Sequence, residues 1–354
     1  MLGYFLKSSH LIVLFLLTFE IVTCGAVAFS TSSVNDPLIS GQWGWLRIHC
    51  DDAYETGYRG SGIIVAVLDT GVDTKHPDLK ANIVEGYNFV DKNDNVTDVD
   101  GHGTMVAGII AAVANNSEGI IGVAPEVKIM PLKVLTNQGG SWIDLDMAIL
   151  YAVNHGAKVI TMSLGGQYSL LGAATEYAIR YAYQQGCVLI AAAGNDNSSE
   201  PFYPAAYEEV IAVSAIDQSD KKAQFSNFGN YVDLSAPGVN VLSTMVNETY
   251  AYGSGTSFSA PFVAGVAALL LSKYPNLTPK EVAETLYNQA EDLGEKGWDQ
   301  YYGWGVVNAY SAVSQPPIPE FPNLPLLTLV LVLSGTLIGY LKTDKYLIND
   351  SSKH

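Results

Sequence analysis

The sequence predicts an α/β fold: a mostly parallel sheet with helices on both faces, three layers in all. Three observations carry that expectation. Short, unbroken apolar runs recur along the chain, as parallel strands require when both their faces are covered. Segments with helical periodicity separate these runs. A hydrophobic fraction of 48% with 33 glycines in 354 residues supplies a core and tight turns, and excludes a disordered chain.

Taken in order, GIIVAVL (Gly62–Leu68) is the first strand and closes on Asp69-Thr70-Gly71. The acidic, turn-rich stretch Asn88–Asp100 reads as a loop. His102-Gly103-Thr104 opens the apolar segment MVAGIIAAVA, a helix. Val127–Leu135 is a strand. Asp144–His155 has helical spacing, with Ile143, Met147, Ile149, Leu150 and Val153 as its apolar residues and Gly156 as its stop. Lys158–Met162 is a strand, Ala173–Gln185 a helix ended by Gly186, and Cys187–Ala192 and Val210–Ala215 are strands. An apolar helix follows Ser257. Thr278-Pro279-Lys280-Glu281 starts the last helix, with Thr278 as cap, Pro279 in the first helical position and Glu281 closing a capping box. No domain break or internal repeat interrupts this series, so residues 29–314 form one domain.

The formal net charge of −17 argues against nucleic-acid or anionic-membrane binding. Cys50 and Cys187 lie far apart with no framework spacing; a disulfide is formally possible, but two buried thiols are expected. Cys24 falls in a segment expected to be removed. There Lys7 precedes the apolar run Leu11–Phe19 and Ala26-Val27-Ala28 offers a cleavage site, so residues 1–28 read as a secretory signal peptide. At the other end, a proline-rich linker (315–323) leads to the apolar segment 324–341, at the lower limit of a membrane span. Lys342 and Lys345 follow, which puts the tail 342–354 in the cytoplasm and the domain outside, anchored at the cell surface.

The chemistry gathers around YGSGTSFSAP (Tyr252–Pro261). Ser257 sits where a glycine-permitted turn becomes a helix N-terminus, beside unpaired N–H groups and the positive end of a dipole. Asp69 closes a buried strand, at the carboxyl end where ligand-facing residues of open sheets collect. His102 is flanked by glycines at a helix start, and Asn195 ends LIAAAGN, again at a strand's carboxyl end. Singly, these residues read as a cap, a packing histidine and a turn; together they form a possible nucleophile, base, orienting carboxylate and amide donor.

The chain resembles the subtilase family of serine proteases, thermitase-like members in particular. The resemblance rests on VAVLDTGVD around Asp69, DGHGTMVAG around His102, SLGG at Ser163–Gly166, AAAGN at Asn195 and GTSFSAP around Ser257. SAPGVNVLST from Ser235 and YGWGVVNAYSAV from Tyr302 extend it, in order, from Asn35 to Val313. It implies a subtilisin-like fold and a serine endopeptidase acting on polypeptides, expected to be a monomer. Ser257 would be the nucleophile, His102 the general base, Asp69 its orienting partner and Asn195 an oxyanion donor. Ser163, Leu164 and Gly165 would pair with an extended substrate. Ala192, Ala193 and Gly194 would form one wall of the primary specificity pocket and Phe202 its floor, where relatives often carry a small residue. A floor of that size implies poor cleavage after large aromatic residues.

The resemblance also implies calcium. Asp36 and Asp78 would supply carboxylates, with Asn116 and Glu118 as further ligands and Val113 and Ile120 contributing carbonyls. A second ion is conceivable near Asp91, Asp94 and Asp98. Met105 stands where many relatives carry a second histidine. Only a short lead separates Ala28 from Gly41, without the folding segment usual in relatives. The tail IPEFP, followed by the apolar span and lysines, resembles an archaeal PEF-type sorting signal, to be cut by a sorting enzyme; a retained membrane anchor is the alternative. A narrow-specificity maturation protease and an inactive binding module on the same fold are the competing functions. The intact Asp69, His102, Asn195 and Ser257 set argues against the inactive module.

Overall fold

A computed structural model describes residues 34–167 and 172–315. The expected signal peptide, apolar span and tail lie outside these residues, as does the linker beyond Gln315. In chain order the elements are α1 (Trp43–Arg47), α2 (Cys50–Glu55), β1 (Ile64–Asp69), β2 (Tyr87–Asn88), α3 (His102–Ala111), β3 (Lys128–Lys133), β4 (Leu135–Thr136), β5 (Gly139–Gly140), α4 (Trp142–Asn154), β6 (Val159–Met162) and α5 (Gly172–Gln184). There follow β7 (Val188–Ala192), β8 (Val210–Ile216), β9 (Leu234–Pro237), β10 (Val241–Met245), β11 (Thr249–Gly253), α6 (Thr256–Lys273), α7 (Pro279–Asn288) and α8 (Ala309–Ser314).

Seven strands form one sheet in the order β2-β3-β1-β6-β7-β8-β9, with every pairing parallel. Successive side chains of each strand feed opposite layers. Val65 and Val67 join one core with Ala107, Ile110, Val263 and Ala267 of α3 and α6; Ala66 and Leu68 join the other with Leu145, Ile149, Ala178 and Ile179 of α4 and α5. This double burial is why the strands read as continuous apolar runs. The three-layer expectation therefore holds. β1 is the point from which strand order runs outward in both directions, and Asp69 lies at its carboxyl end.

α6 runs through the core. It is long and apolar enough to cross a membrane, yet 83% of its apolar window is buried within the protein. It is apolar all round because it is covered all round. At its far end Lys273 Nζ donates to the carbonyl of Val313, the penultimate residue of α8.

Several boundaries move. α4 begins at Trp142, because Ser141 caps it by accepting the Ile143 N–H at 3.2 Å. Its buried face is Leu145, Ala148, Ile149 and Ala152; Ile143 and Met147, read as apolar-face residues, are exposed. Strand β7 stops at Ala192, so Asn195 lies in the loop beyond it. The capping box of Thr278 and Glu281 forms as expected. Cys50 and Cys187 are buried free thiols. The hairpins β4–β5 and β10–β11 and the short helices α1, α2 and α8 have no counterpart in the sequence reading.

Candidate active site

Asp69 is fully buried. Its Oδ1 accepts from His102 Nδ1 at 2.7 Å and from the Thr70 N–H at 2.7 Å. The carboxylate accepts, so the neutral imidazole carries its proton on Nδ1 and leaves Nε2 as the basic nitrogen. His102 is the first residue of α3, and Asp98 fixes where that helix starts. The Asp98 carboxylate gathers the N–H groups of Asp100, Gly101 and Thr104 and the hydroxyls of Thr70 and Thr104. Burial opposes a charged ring, but the charge and hydrogen bond of Asp69, with Asp100 and Asp98 adding, push His102 up to about 9.

Ser257 is the second residue of α6. Its hydroxyl donates to the Ser163 carbonyl at 3.2 Å, and the Ser163 hydroxyl donates to the Ser257 carbonyl at 2.7 Å. Pro261 explains the second bond. In a regular helix the residue-261 N–H would serve the residue-257 carbonyl, and proline has none. Pro261 lies inside α6, deeper than the first-turn position where a missing N–H goes unnoticed. Ser163 supplies the missing donor from the segment after β6.

Asn195 faces the same helix start. Its Oδ1 accepts from the Thr256 N–H at 2.9 Å and the Thr256 hydroxyl at 3.0 Å, which turns the Nδ2 end outward as a donor. The Thr256 hydroxyl also accepts the Gly194 N–H at 3.1 Å. Thr256 escaped the sequence reading; its place immediately before Ser257 in GTSFSAP was the available signal. A Cβ on Gly255 would stand 3.6 Å from Asn195 Nδ2 and 3.8 Å from Ser257 N, so both donors border one spot that glycine keeps open.

Beside this centre runs a cleft of 390 Å³, walled by Leu164, Gly165, Gly166 and Gln167 on one side and by Gly139–Trp142 on the other. The second wall was not anticipated. Gly166 and Tyr203 exchange backbone hydrogen bonds at 2.8 and 2.9 Å. Phe202 projects against the expected pocket rims: a Cβ on Gly165 would come within 2.4 Å of its ring, and one on Gly194 within 3.0 Å. Ala192 and Ala193 are buried as whole residues, at 2% and 0%.

Asp36 and Asp78 are also buried, at 2% and 0%, and no lysine or arginine pairs with either among the described residues. Burial pushes both carboxyls up, against the hydrogen bonds that pull them down. Asp36 accepts the Asn115 and Asn116 N–H groups, and Asp78 accepts Asn116 Nδ2 and the Ile120 N–H. The loop 113–120 thus wraps two buried acids that lack a counter-charge, a donor set suited to a hard cation. Val113 and Glu118 lie on this loop; the Glu118 N–H donates to Asn116 Oδ1. The second expected ion fares differently. Asp98 is filled by the donors named above, so it shapes α3 and is not free to bind a metal. Asp91 accepts from Asn88. No cluster of three or more acidic, histidine or cysteine ligands occurs among the described residues, in this loop or around Asp36 and Asp78.

The Subtilase family profile matches residues 60–305. A thermophilic serine proteinase from Bacillus sp. (strain AK1) is 44% identical over 282 residues, covering 79% of this chain and 69% of the relative. Thermitase from Thermoactinomyces vulgaris is 43% identical over 281 residues, covering 79% of this chain and 98% of the relative. A solved structure of a protease from Pseudoalteromonas arctica PAMC 21717 superposes with a TM-score of 0.73 at 33% identity, covering 80% of this chain and 99% of that one. With that breadth of agreement over the segments that build the cleft, this chain belongs to the subtilase family and is a serine endopeptidase.

Proposed function

We propose that the chain is a secreted, cell-surface-tethered endopeptidase working through Asp69, His102 and Ser257 and an acyl-enzyme intermediate. The observation that supports this most is the 2.7 Å contact of His102 Nδ1 with buried Asp69, with Ser257 held against Ser163, the residue before the cleft wall Leu164–Gln167. The Ser257 hydroxyl leaves the Ser163 carbonyl, passes its proton to His102 Nε2 and forms a bond to the scissile carbonyl carbon. Asn195 Nδ2 and the Ser257 N–H hold the resulting oxyanion. His102 returns the proton to the leaving nitrogen as the C–N bond breaks. It then takes a proton from the water that releases the acyl group, and Ser257 recovers its own. Asp69 holds the ring in the required tautomer and balances its positive form.

Gly139–Gly140 and Ser163–Gly165 are the two rails for an extended substrate, which adds as a strand. Phe202 shortens the primary pocket and disfavours large aromatic residues there. Asp36, Asp78 and Asn116, with carbonyls of loop 113–120, would hold calcium, which when bound neutralises the buried acids. Calcium at a hundred times its Kd then adds about 2.7 kcal/mol to stability, and a chelator lowers the melting temperature accordingly. Secretion and tethering rest on the terminal segments; a mature peptide covering 326–341 excludes removal of the span. The decisive test is labelling with a fluorophosphonate probe. The folded protein takes the label and Ser257→Ala does not; an unlabelled, folded, calcium-loaded wild type refutes the assignment.

A further inference from the structure

Tyr250 joins two regions that the reaction itself does not connect. It stands on β11, and its hydroxyl donates to Asp78 Oδ2 at 3.1 Å, the oxygen that also takes the Ile120 N–H. Its ring occupies the space beside Gly119 in loop 113–120, where a Cβ would meet Tyr250 Cζ at 2.0 Å. The ring meets His76 edge-on, with centroids 5.2 Å apart. His76 Nδ1 accepts the Asp78 N–H, so its Nε2 donates to the Thr249 carbonyl at 3.0 Å. At the hairpin turn the Asn247 N–H reaches Asp73 at 3.1 Å.

The other strand of this hairpin is fastened to the catalytic helix. Ser243 donates to the Met105 carbonyl at 2.6 Å and Thr244 to the Thr104 carbonyl at 2.8 Å, in the turn that follows His102. β11 itself ends at Gly253 and runs directly into the segment that delivers Ser257. The hairpin is therefore strung between the cation loop, the helix of His102 and the approach to Ser257.

We propose that Tyr250 pins the β10–β11 hairpin to loop 113–120, so that a cation held by Asp36 and Asp78 orders the approach to Ser257 as well as its own loop. Only the cation arm of this proposal rests on the calcium reading given above; the pin stands on the contacts themselves. Removing the hydroxyl takes a donor from Asp78, and loss of such an outer partner commonly weakens metal binding about 10- to 100-fold. His76 and Asp73 still hold the hairpin, so Tyr250→Phe keeps the fold.

The test is hydrogen exchange over 113–120 and 241–253 in the full chain, with calcium and with chelator, beside a calorimetric calcium titration. In the wild type, calcium slows exchange in both segments. In Tyr250→Phe the calcium Kd rises about tenfold or more, and at saturating calcium the loop is protected while the hairpin exchanges faster than in wild type. Unchanged affinity with unchanged hairpin protection overturns the proposal. A wild type that takes up no calcium refutes the calcium reading alone. The pin is then judged by the chelated proteins, where Tyr250→Phe must still exchange faster over 241–253; equal rates overturn it.

Discussion

Ser163→Ala isolates one hydrogen bond whose reason for existing is a proline. The bond runs 2.7 Å from the Ser163 hydroxyl to the Ser257 carbonyl, and Ser163 is 4% exposed. Alanine leaves that partly buried carbonyl with no donor, because Pro261 brings none. An unsatisfied buried acceptor costs about 1–3 kcal/mol. For a domain of this size each kcal/mol lowers Tm by about 2–4 °C, so the variant melts roughly 2–12 °C below wild type. Differential scanning calorimetry reads this, and a double-mutant cycle reads its cause. In a Pro261→Ala background the residue-261 N–H can serve the carbonyl, and Ser163→Ala becomes close to neutral. If Ser163→Ala has the same effect in both backgrounds, or none in the first, the reasoning fails.

Thr256→Val, which removes the hydroxyl that orients Asn195, lowers kcat by about 10-fold with KM unchanged. Asn195→Leu lowers it by about 100- to 1,000-fold, a range taken from an oxyanion-hole substitution in a subtilisin. The double variant is no slower than Asn195→Leu alone; multiplicative losses in steady-state kinetics would separate the two residues. His102 must be neutral to act as base and stands at about 9, so kcat/KM rises with pH through that region, above the ordinary histidine range. The stability its raised pKa contributes is complete below about 6.5 and is lost as pH climbs through 9; a rate profile with its midpoint at or below 6.5 contradicts this placement. Asp233 is pushed up to about 7 by burial, against hydrogen bonds from the Ala212 N–H and Tyr287. A raised carboxylate pKa destabilises progressively as pH rises from its unfolded value toward 7, and the penalty is complete above 7. Asp233→Asn therefore gains on wild type between pH 4 and 8, and parallel melting curves across that range refute it. Phe202→Gly opens the primary pocket, and a peptide library then shows increased cleavage after Phe and Tyr; an unchanged profile removes Phe202 from specificity.

The sheet was legible in the sequence because burial on both faces leaves no alternation to misread. Val65–Leu68 and Val188–Ala192 admit little but a covered strand. The candidate catalytic set could be proposed from the sequence because Asp69, His102 and Ser257 each sit in a short segment punctuated by glycines. What escaped reading depends on contacts distant along the chain. Thr256 gains its role only by meeting Asn195, and Tyr250 only by reaching Asp78. β9 escaped because its strand contains Pro237, tolerable at the sheet's edge where no further neighbour needs its N–H. Ile143 and Met147 misled because apolar character at helical spacing does not say which face is covered; the small residues Ala148 and Ala152 fit closely against the sheet instead. In the acidic loop, Asp98 spends its oxygens on N–H groups and hydroxyls at the start of α3, a role its composition does not announce.

The length of α6 sets the distance between Ser257 and the C-terminal end of the described residues. Between Ser257 and Lys273 the helix rises about 24 Å at 1.5 Å per residue. Lys273 holds the carbonyl of Val313 at that far end. The domain therefore has two poles: one presents the nucleophile, and the chain leaves from the other. The described residues therefore end at Gln315 on the side away from Ser257. The buried helix that places Ser257 at one end is, seen end to end, also the spacer between that serine and the place where the described residues finish.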